Sequence, residues 1–158
     1  MTVSELMSSP VVTCLQTTTL LDVTRLMRNR DCGCIPVLDE GGYVVGIVTD
    51  RDVCAAIATG EDDPGRCAAG KAMTAAVHTC LPGDSAADAL EVMRRFHVRR
   101  VPVVDAAGRL QGLVSLDDMA RASDTPGAPS AADVVSAMAD ICAHGRSAAD
   151  AVEQGDPP

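Results

Sequence analysis

Hydrophobic and polar residues alternate along this chain with two different periods, and the two periods follow each other in a fixed order. A short run of β-branched residues comes first, and a segment with apolar residues at helical spacing follows it. Two apolar runs then flank a turn rich in Asp and Gly, which is the pattern of a hairpin of buried strands. The predicted elements are a strand at 11–14, a helix beginning near residue 20, strands at 35–38 and 44–49, and a helix at 50–58.

The same order of elements returns in the second half of the chain. Residues 7–53 align with residues 73–119 without a gap, which is the signature of a duplicated supersecondary unit. Identical pairs include Met7 and Met73, Thr13 and Thr79, Cys14 and Cys80, Pro36 and Pro102, Gly46 and Gly112, and Asp52 and Asp118. The second copy therefore predicts strands at 77–80, 101–104 and 110–115, and helices around 86–93 and at 116–122.

Capping residues lie where the predicted helices begin and end. Thr18 or Thr19 is the expected N-cap of the first long helix, and Asp84 or Ser85 is that of its counterpart. Gly33 is the expected stop of the first helix, because glycine adopts the left-handed conformation at low cost.

One such unit is too small to bury enough apolar surface for stability on its own. We therefore expect an α+β fold in which two tandem β-α-β-β-α repeats pack with pseudo-two-fold symmetry and leave two equivalent clefts between them. Apolar residues at helical spacing after residue 130 predict an additional C-terminal amphipathic helix. The expected divisions are repeat 1 at 1–60, a linker at 61–69, repeat 2 at 70–122, a linker at 123–130, the helix at 131–145 and a disordered tail at 146–158.

Composition and charge narrow the range of functions. Hydrophobic residues make up 47% of the chain, yet Tyr43 and Phe96 are its only aromatic residues, so the core must be aliphatic. The formal net charge of −9 and the lack of stacking aromatics argue against nucleic acid as a partner. No apolar run approaches the roughly 20 residues needed to cross a bilayer. The start of the sequence lacks a secretion signal, so we expect a soluble, cytoplasmic protein without a membrane partner.

The repeated motif resembles the cystathionine-β-synthase (CBS) domain. The resemblance rests on the β-α-β-β-α order, on the apolar-Pro-Val-apolar-Asp strand at 35–39 and 101–105, and on the Gly-apolar-apolar-Thr/Ser-x-x-Asp ending at 46–52 and 112–118. Two such domains in tandem look like a Bateman module. The size, an early Thr-Cys and an Ile-Cys in the last helix make the chain similar to small stand-alone bacterial CBS-pair proteins of the hypoxic-response type.

This resemblance implies a regulatory or sensor module with no enzymatic reaction of its own. It implies a homodimer of CBS pairs and a separate, unidentified protein as the regulated partner. It also implies an adenosine-containing regulatory ligand in the clefts, such as AMP, ADP, ATP or S-adenosylmethionine, with no cofactor required. The residues agree with a non-catalytic module, since they include no P-loop, no HExxH and no Gly-rich dinucleotide motif.

Thr49 with Asp52, and Ser115 with Asp118, are the sharpest candidates for ligand binding. In the family pattern the Asp accepts hydrogen bonds from the ribose hydroxyls, and the Thr or Ser hydroxyl faces the α-phosphate. A carboxylate suits a ribose because one group can accept two donors, and the N–H groups at a helix start favour a phosphate. The alternative is structural, because a Thr or Ser three residues before an Asp also caps a helix.

Arg99 and Arg100 precede the Pro-containing strand of the second copy. In family members that bind nucleotides, basic residues at this place reach phosphates, whose oxygens match the guanidinium group. Gly33 and Cys34 hold the equivalent positions of the first copy, so the two clefts should differ in phosphate affinity. The alternative is that these arginines form a solvated basic face or pair with carboxylates.

The adenine of such a ligand would lie between aliphatic side chains. The resemblance points to Val11, Val77, Ile35 and Val101 for this role. Each of them would also be apolar as an ordinary core residue, so a purely structural role is the alternative.

Seven cysteines suggest a different function, a thiol-based zinc or redox sensor on the same fold. Cys14 and Cys80 are repeat-equivalent and Cys32 and Cys34 are close together, so four thiols could meet at one cleft, although no CxxC pair exists. A disulfide between Cys14 and Cys32 or Cys34 is a further alternative, as are buried thiols without a role. A third candidate function is a structural interaction protein that binds no ligand and uses its C-terminal helix as the partner surface.

Overall fold

The computed structural model describes residues 1–59 and 63–153, with side chains described up to residue 143. Helices and strands follow each other in the order expected from the repeats. In chain order the elements are α1 (Val3–Leu6), β1 (Cys14–Leu15), α2 (Leu20–Arg30), β2 (Cys34–Leu38), β3 (Val44–Thr49), α3 (Asp50–Thr59), α4 (Ala69–Ala72), α5 (Ala86–Phe96), β4 (Arg100–Val104), β5 (Leu110–Ser115), α6 (Leu116–Ala122) and α7 (Ala131–Glu153).

The α+β fold with two repeats and a C-terminal helix is confirmed. The returning strands β3 and β5 begin and end at the predicted residues. β1 is shorter than predicted, because it pairs with β2 only at Cys14 and Leu15. Its counterpart in the second repeat is reduced to a single bridge between Cys80 and Val103.

The chain divides into two compact units, each built mainly from one repeat together with the short segment that precedes the other repeat. The N–H of Val3 in α1 donates to the carbonyl of Asp84 at 2.9 Å, so α1 belongs with the second repeat. The N–H of Ala69 in α4 donates to the carbonyl of Thr18 at 2.7 Å, so α4 belongs with the first. The repeat-1 unit contains Pro10–Val77 and Val104–Gln111, and the repeat-2 unit contains Met1–Ser9, His78–Val103 and the chain from Gly112 onward.

The residue that follows each short helix is a methionine, and its side chain lies against a glycine of a returning strand. Met73 lies on Gly46 in the repeat-1 unit, and Met7 lies on Gly112 in the repeat-2 unit. The approach is so close that a Cβ atom at either glycine would overlap the methionine side chain. Glycine is therefore required at both positions by packing.

The long helices of the repeats begin at the caps expected from the sequence. The N–H of Asp22 donates to the Thr19 hydroxyl at 3.2 Å, and the N–H of Asp88 donates to the Ser85 hydroxyl at 3.1 Å. Each cap satisfies one of the N–H groups that lack a partner in the first turn of a helix.

The expected stop of the first helix at Gly33 is wrong. α2 ends at Arg30, and Asp31 adopts the left-handed conformation with φ of 49°. His97 does the same after α5, with φ of 55°. Asp and His are among the non-glycine residues that tolerate this region best, which is why a glycine is not needed there.

The sheet of the repeat-1 unit determines which residues face its core. Its strand order is β1-β2-β3, with β1 parallel to β2 and β2 antiparallel to β3. Paired residues share a face of a sheet and successive residues alternate between faces. Ile35, paired with Val48, therefore faces the core, whereas Cys34, paired with Thr49, lies on the opposite face.

Each unit has its own aliphatic core. In the repeat-1 unit it includes Leu20, Val23, Ile35, Val37 and Val48, and in the repeat-2 unit it includes Met93, Val101, Val103, Val114 and Met119. α7 packs against α5 and α6 and adds Val134, Ala137 and Ile141 to the second core.

The C-terminal helix α7 begins at Ala131 and continues to Glu153, which is further than residue 145. The extension is rich in alanine, the residue with the highest helix propensity. Positions 154–158 of the expected tail and 60–62 near the expected linker lie outside the described residues. Within the described part of the chain, none of the helices combines the length and the apolar character that a membrane span requires.

Candidate functional site

The strand-to-helix junction of each repeat joins a hydroxyl residue and a carboxylate in one compact motif. In the repeat-1 unit, the N–H and the hydroxyl of Thr49 both donate to Oδ2 of Asp52, each at 2.7 Å. The N–H of Asp52 donates in return to the Thr49 hydroxyl at 3.3 Å. This reciprocal arrangement is a capping box, and it fixes the Asp52 side chain at the start of α3.

The repeat-2 unit contains the same motif with serine in place of threonine. The N–H and the hydroxyl of Ser115 donate to Oδ2 of Asp118 at 2.9 and 2.6 Å, and the N–H of Asp118 donates to the Ser115 hydroxyl at 3.2 Å. The Asp118 side chain is only 13% exposed, and its Oδ1 accepts a hydrogen bond at 2.9 Å from Arg121, which is 74% exposed.

The capping geometry occupies only one oxygen of each carboxylate. Oδ1 of Asp52 receives no hydrogen bond from any residue that the structure describes, and Oδ1 of Asp118 receives its bond from an exposed arginine. The structural role of these residues is thus present in both repeats. The second oxygen keeps acceptor capacity, so the ribose-binding role is compatible with capping and stays a prediction.

The start of β2 lies beside the capping box of the first repeat. Cys34 is the β-sheet partner of Thr49, and the N–H of Asp50 donates to the carbonyl of Gly33 at 3.1 Å. Strand pairing therefore brings together Gly33, Cys34, Thr49, Asp50 and Asp52, and we call these five residues the repeat-1 edge.

The start of β4 has the same place in the second repeat. The N–H of Leu116 donates to the carbonyl of Arg99 at 3.0 Å, which is the repeat-equivalent of the Asp50 to Gly33 bond. By equivalence with the Cys34–Thr49 pair of the first repeat, this bond indicates that Arg100 pairs with Ser115. We call Arg99, Arg100, Ser115, Leu116 and Asp118 the repeat-2 edge.

The two arginines of the repeat-2 edge have different surroundings. Nη2 of Arg99 donates to Sγ of Cys142 at 3.6 Å, so its guanidinium lies against α7. Arg100 is half-buried and forms no ion pair with a described residue. Of the two candidates for phosphate binding, Arg100 is the one that shares the face of Ser115.

Asp50 belongs to the repeat-1 edge but is absent from the set predicted from the sequence. Its Oδ1 accepts the N–H of Arg51 at 2.8 Å, and its Oδ2 lies so close to Gly33 that a Cβ atom there would be 2.9 Å away. The signal that could have found it is a mismatch between the repeats, because the counterpart of Asp50 is the apolar Leu116.

The four apolar candidates divide into two pairs. Val11 and Val77 are half-buried and retain surface that a ligand can contact. Ile35 and Val101 have 0% exposure and belong to the cores of their respective units. Their side chains are buried in this conformation, and their contact with an adenine stays a prediction.

The cysteines suggested as metal ligands are separated by the sheet. Cys14 pairs with Val37 and faces the core, whereas Cys34 is three residues from Val37 on the other face. Strand geometry puts the two Cα atoms roughly 11 Å apart, well beyond the limit of about 7 Å for a disulfide. No disulfide joins any of the cysteines in the described part of the chain. Cys32 borders the repeat-1 core, and Cys80 lies in the core of the other unit. Where side chains are described, no three His, Cys, Asp or Glu residues form a group that could hold a metal ion.

Burial keeps two of these thiols protonated. It raises the pKa of Cys14 to about 11. Burial, with a smaller contribution from the carboxylate of Asp84, also raises the pKa of Cys80 to about 11. Because the thiolate is the form that binds metals and attacks electrophiles, both residues should be unreactive at neutral pH.

Comparison with known proteins identifies the repeated unit. The CBS domain profile matches residues 3–59 and 69–125. Inosine-5'-monophosphate dehydrogenase of Mycobacterium tuberculosis is 35% identical over 115 residues, which cover 73% of this chain but only 21% of the relative. The chain thus spans about a fifth of that enzyme. The CBS domain-containing protein YhcV of Bacillus subtilis is 31% identical over 118 residues, which cover 75% of this chain and 82% of the relative.

Solved structures show the same fold. Hypoxic Response Protein I, described with two coordinated zinc ions, superposes with a TM-score of 0.70 at 30% identity and covers 77% of this chain and 98% of its own. The CBS domain pair of protein MJ0100, in complex with 5'-methylthioadenosine and S-adenosylmethionine, gives a TM-score of 0.70 at 25% identity, with coverage of 77% and 94%. A CBS domain protein of Pyrobaculum aerophilum complexed with AMP gives 0.69 at 28% identity, with coverage of 75% and 90%.

Proposed function

Because this chain belongs to the CBS domain family, we propose that it is a regulatory module that binds an adenosine-containing ligand, with the repeat-2 edge holding the ribose and the phosphate. The observation that carries the proposal is the Ser115–Asp118 box with Arg100 beside it. This edge combines a fixed carboxylate and a hydroxyl at one strand-to-helix junction, and Arg100 begins the neighbouring strand β4.

Each group of the edge has a part that suits its chemistry. Oδ1 of Asp118 would accept a ribose hydroxyl after displacing Arg121. Because the Arg121 side chain is 74% exposed, solvent screens this ion pair, which is worth about 1 kcal/mol. Arg100 would donate to phosphate oxygens, for which the planar guanidinium is well matched. Val11 and Val77 are half-buried, and their contact with an adenine stays a prediction from the family resemblance.

The relatives support the class of ligand. Two of the structurally similar CBS proteins are described in complex with AMP, or with 5'-methylthioadenosine and S-adenosylmethionine. These ligands share an adenosine group and differ in the charge of the 5' substituent. The proposal for this chain is therefore adenosine recognition, with AMP, ADP, ATP and S-adenosylmethionine as the ligands to test.

We include association into a homodimer and control of a separate protein in the same proposal. Large apolar side chains remain exposed on the described surface, among them Ile57 at 54%, Val135 at 66% and Met138 at 50%. Exposed apolar groups of this kind favour contact with another protein surface. Sedimentation equilibrium with and without nucleotide tests the dimer, and a monomer in both conditions would contradict it.

Zinc binding has less support than nucleotide binding in this chain. Hypoxic Response Protein I is described with two zinc ions. Here, however, Cys14 and Cys34 face opposite sides of a sheet, and Cys80 belongs to the other unit. Metal analysis of the purified protein, together with a titration of its free thiols, would revive the zinc hypothesis if it found stoichiometric zinc and protected thiols.

Calorimetric titration with the four ligands tests the proposal directly. We expect AMP to bind the wild-type chain and to bind Arg100→Ala roughly tenfold more weakly, since a charged hydrogen bond contributes about 1.5 kcal/mol or more. Arg28→Ala, which removes the same charge from α2, is the matched control and should bind as the wild type does. Absence of binding of all four ligands to the wild-type chain would refute the proposal.

A further inference from the structure

The two edges have the same backbone geometry but different charges. The N–H to carbonyl bond between the helix start and the hairpin strand measures 3.1 Å in the repeat-1 edge and 3.0 Å in the repeat-2 edge. Differences in ligand preference must therefore come from side chains. Where the repeat-2 edge has Arg99, Arg100 and Leu116, the repeat-1 edge has Gly33, Cys34 and Asp50.

Asp50 and Gly33 form a matched pair in the repeat-1 edge. The Oδ2 atom of Asp50 occupies the space that a side chain at residue 33 would need, since a Cβ atom there would lie 2.9 Å from it. The same carboxylate accepts the N–H of Arg51 through Oδ1. The N–H of Arg51, at the start of α3, is thus bound to the Asp50 carboxylate and is not available to the phosphate of a ligand.

A second carboxylate adds to the negative charge of this edge. Asp52 has one oxygen without a described donor, whereas the equivalent oxygen of Asp118 is bound by Arg121. Arg51, between the two acidic residues, is exposed and forms no ion pair with either of them within the described part of the chain. A phosphate placed here would face Asp50 and Asp52, and the nearest guanidinium in the sequence is that of the exposed Arg51, whose counterpart in the second copy is Asp117. No counterpart of Arg99 or Arg100 is present, because Gly33 and Cys34 hold those positions.

We propose that Asp50 makes the repeat-1 edge selective for an adenosine ligand whose 5' substituent carries no negative charge, while the repeat-2 edge takes the phosphorylated nucleotide. This inference rests on the proposed function, because it assigns ligand classes to the two edges. Specificity of this kind arises by adverse charge against the wrong ligand as well as by attraction of the right one. A ligand with an uncharged thioether or a cationic sulfonium at the 5' position has no negative charge to be repelled by Asp50.

The experiment uses the full chain with the repeat-2 edge silenced by Asp118→Asn. Titrations with AMP and with 5'-methylthioadenosine then report on the repeat-1 edge. We expect 5'-methylthioadenosine to bind roughly tenfold more tightly than AMP, which is the Coulomb cost of a dianion a few ångströms from a carboxylate in a solvated site. The difference should shrink at high salt, because screening weakens exposed charges.

Removing the carboxylate should abolish the preference. In the same background, Asp50→Asn is expected to strengthen AMP binding roughly tenfold and to change 5'-methylthioadenosine binding by less than twofold. The double variant Cys34→Arg/Asp50→Leu reproduces the repeat-2 pattern and should favour AMP. Glu40→Gln is the control, because it removes an equal charge from the hairpin turn at the far end of β2 and should leave both affinities unchanged.

The outcomes separate this inference from the proposed function. If the wild-type chain binds AMP but the Asp118→Asn chain binds neither ligand, the repeat-1 edge is not a site and the inference is wrong while the proposed function stands. The inference is also wrong if AMP binds as tightly as 5'-methylthioadenosine with Asp50 present, or if Asp50→Asn leaves their ratio unchanged. If the wild-type chain binds neither of these ligands nor ADP, ATP or S-adenosylmethionine, both proposals are wrong.

Discussion

Asp118→Asn separates capping from ligand binding, because its carboxylate has a different partner on each oxygen. Oδ2 accepts the two hydrogen bonds of Ser115, and Oδ1 is the acceptor proposed for the ribose. The chain offers a matched control in Asp88, whose Oδ2 accepts the Ser85 hydroxyl at 2.6 Å in the equivalent cap of α5. Asn keeps the shape of the side chain and one acceptor oxygen, and it removes the charge.

The expected magnitudes differ between stability and binding. Weakening a helix cap costs about 1 kcal/mol of unfolding free energy, so Asp118→Asn and Asp88→Asn should be destabilised by similar amounts. The loss should be slightly larger for Asp118→Asn, because the Asp118 side chain is the more buried of the two. Losing a charged acceptor for the ribose costs a further 2 kcal/mol or so of binding free energy, which corresponds to roughly thirtyfold in Kd. Only Asp118→Asn should show this second effect.

Urea unfolding and calorimetric titration with AMP, run on both variants, provide the two readouts. Equal losses of stability with an AMP affinity that neither variant changes would show that Asp118 is a cap and nothing more. A loss of AMP affinity in Asp88→Asn as large as in Asp118→Asn would show a general effect of helix fraying. Either result would refute the assignment of Asp118 to the ribose.

Three further outcomes test the structure. Cys54 is exposed and should react with a thiol reagent at neutral pH much faster than Cys80, whose pKa burial raises to about 11. Gly112→Ala should lower the unfolding free energy by about 1–3 kcal/mol, because the added methyl group overlaps the Met7 side chain. Gly83→Ala is the control, because a Cβ atom there meets open space, and it should leave the unfolding free energy in urea nearly unchanged. Hydrogen bonds from Ser130 lower the pKa of Asp133 below its ordinary value of 3.8. The stability that the Asp133 carboxylate contributes is therefore present above pH 3.8 and is lost as the pH falls through the lowered pKa. Asp133→Asn should therefore reduce the acid dependence of the unfolding free energy below about pH 4.

Local patterns in the sequence predicted the repeated elements well. Apolar runs bounded by turn residues predicted β3 and β5 to the residue. Polar residues before the apolar periods limited each cap to two neighbours, Thr18 or Thr19 and Asp84 or Ser85, of which Thr19 and Ser85 are the caps. These features depend on a few neighbouring residues. They were therefore readable without knowledge of the rest of the fold.

Features set by distant contacts were not predictable in this way. α1 and α4 have four residues each, too few to show a helical period, and their place is set by packing on the other repeat. The end of α2 at Asp31 depended on a left-handed residue other than glycine. The faces of Cys14 and Cys34 follow from the pairing of β1 with β2, which no local pattern reveals.

The candidate site shows the same division. The Thr49–Asp52 and Ser115–Asp118 boxes were found because a hydroxyl and a carboxylate three residues apart are a local motif. Asp50 was not predicted because the feature that distinguishes it is its contact with Gly33, a residue distant from it in the sequence. The complete burial of Ile35 likewise depends on which face of β2 meets the core.

The two repeats share the residues that the scaffold requires and differ beside their capping boxes. Met7 and Met73 lie on equivalent glycines, and the capping boxes have nearly equal hydrogen-bond lengths, so the scaffold requires the same residues in both copies. Asp50 is exposed, whereas its counterpart Leu116 is 7% exposed and belongs to the core of the repeat-2 unit. A charged residue at position 50 therefore displaces no core side chain, whereas a charged residue at position 116 would. The charge proposed to set ligand preference thus lies in the copy whose core does not use that position.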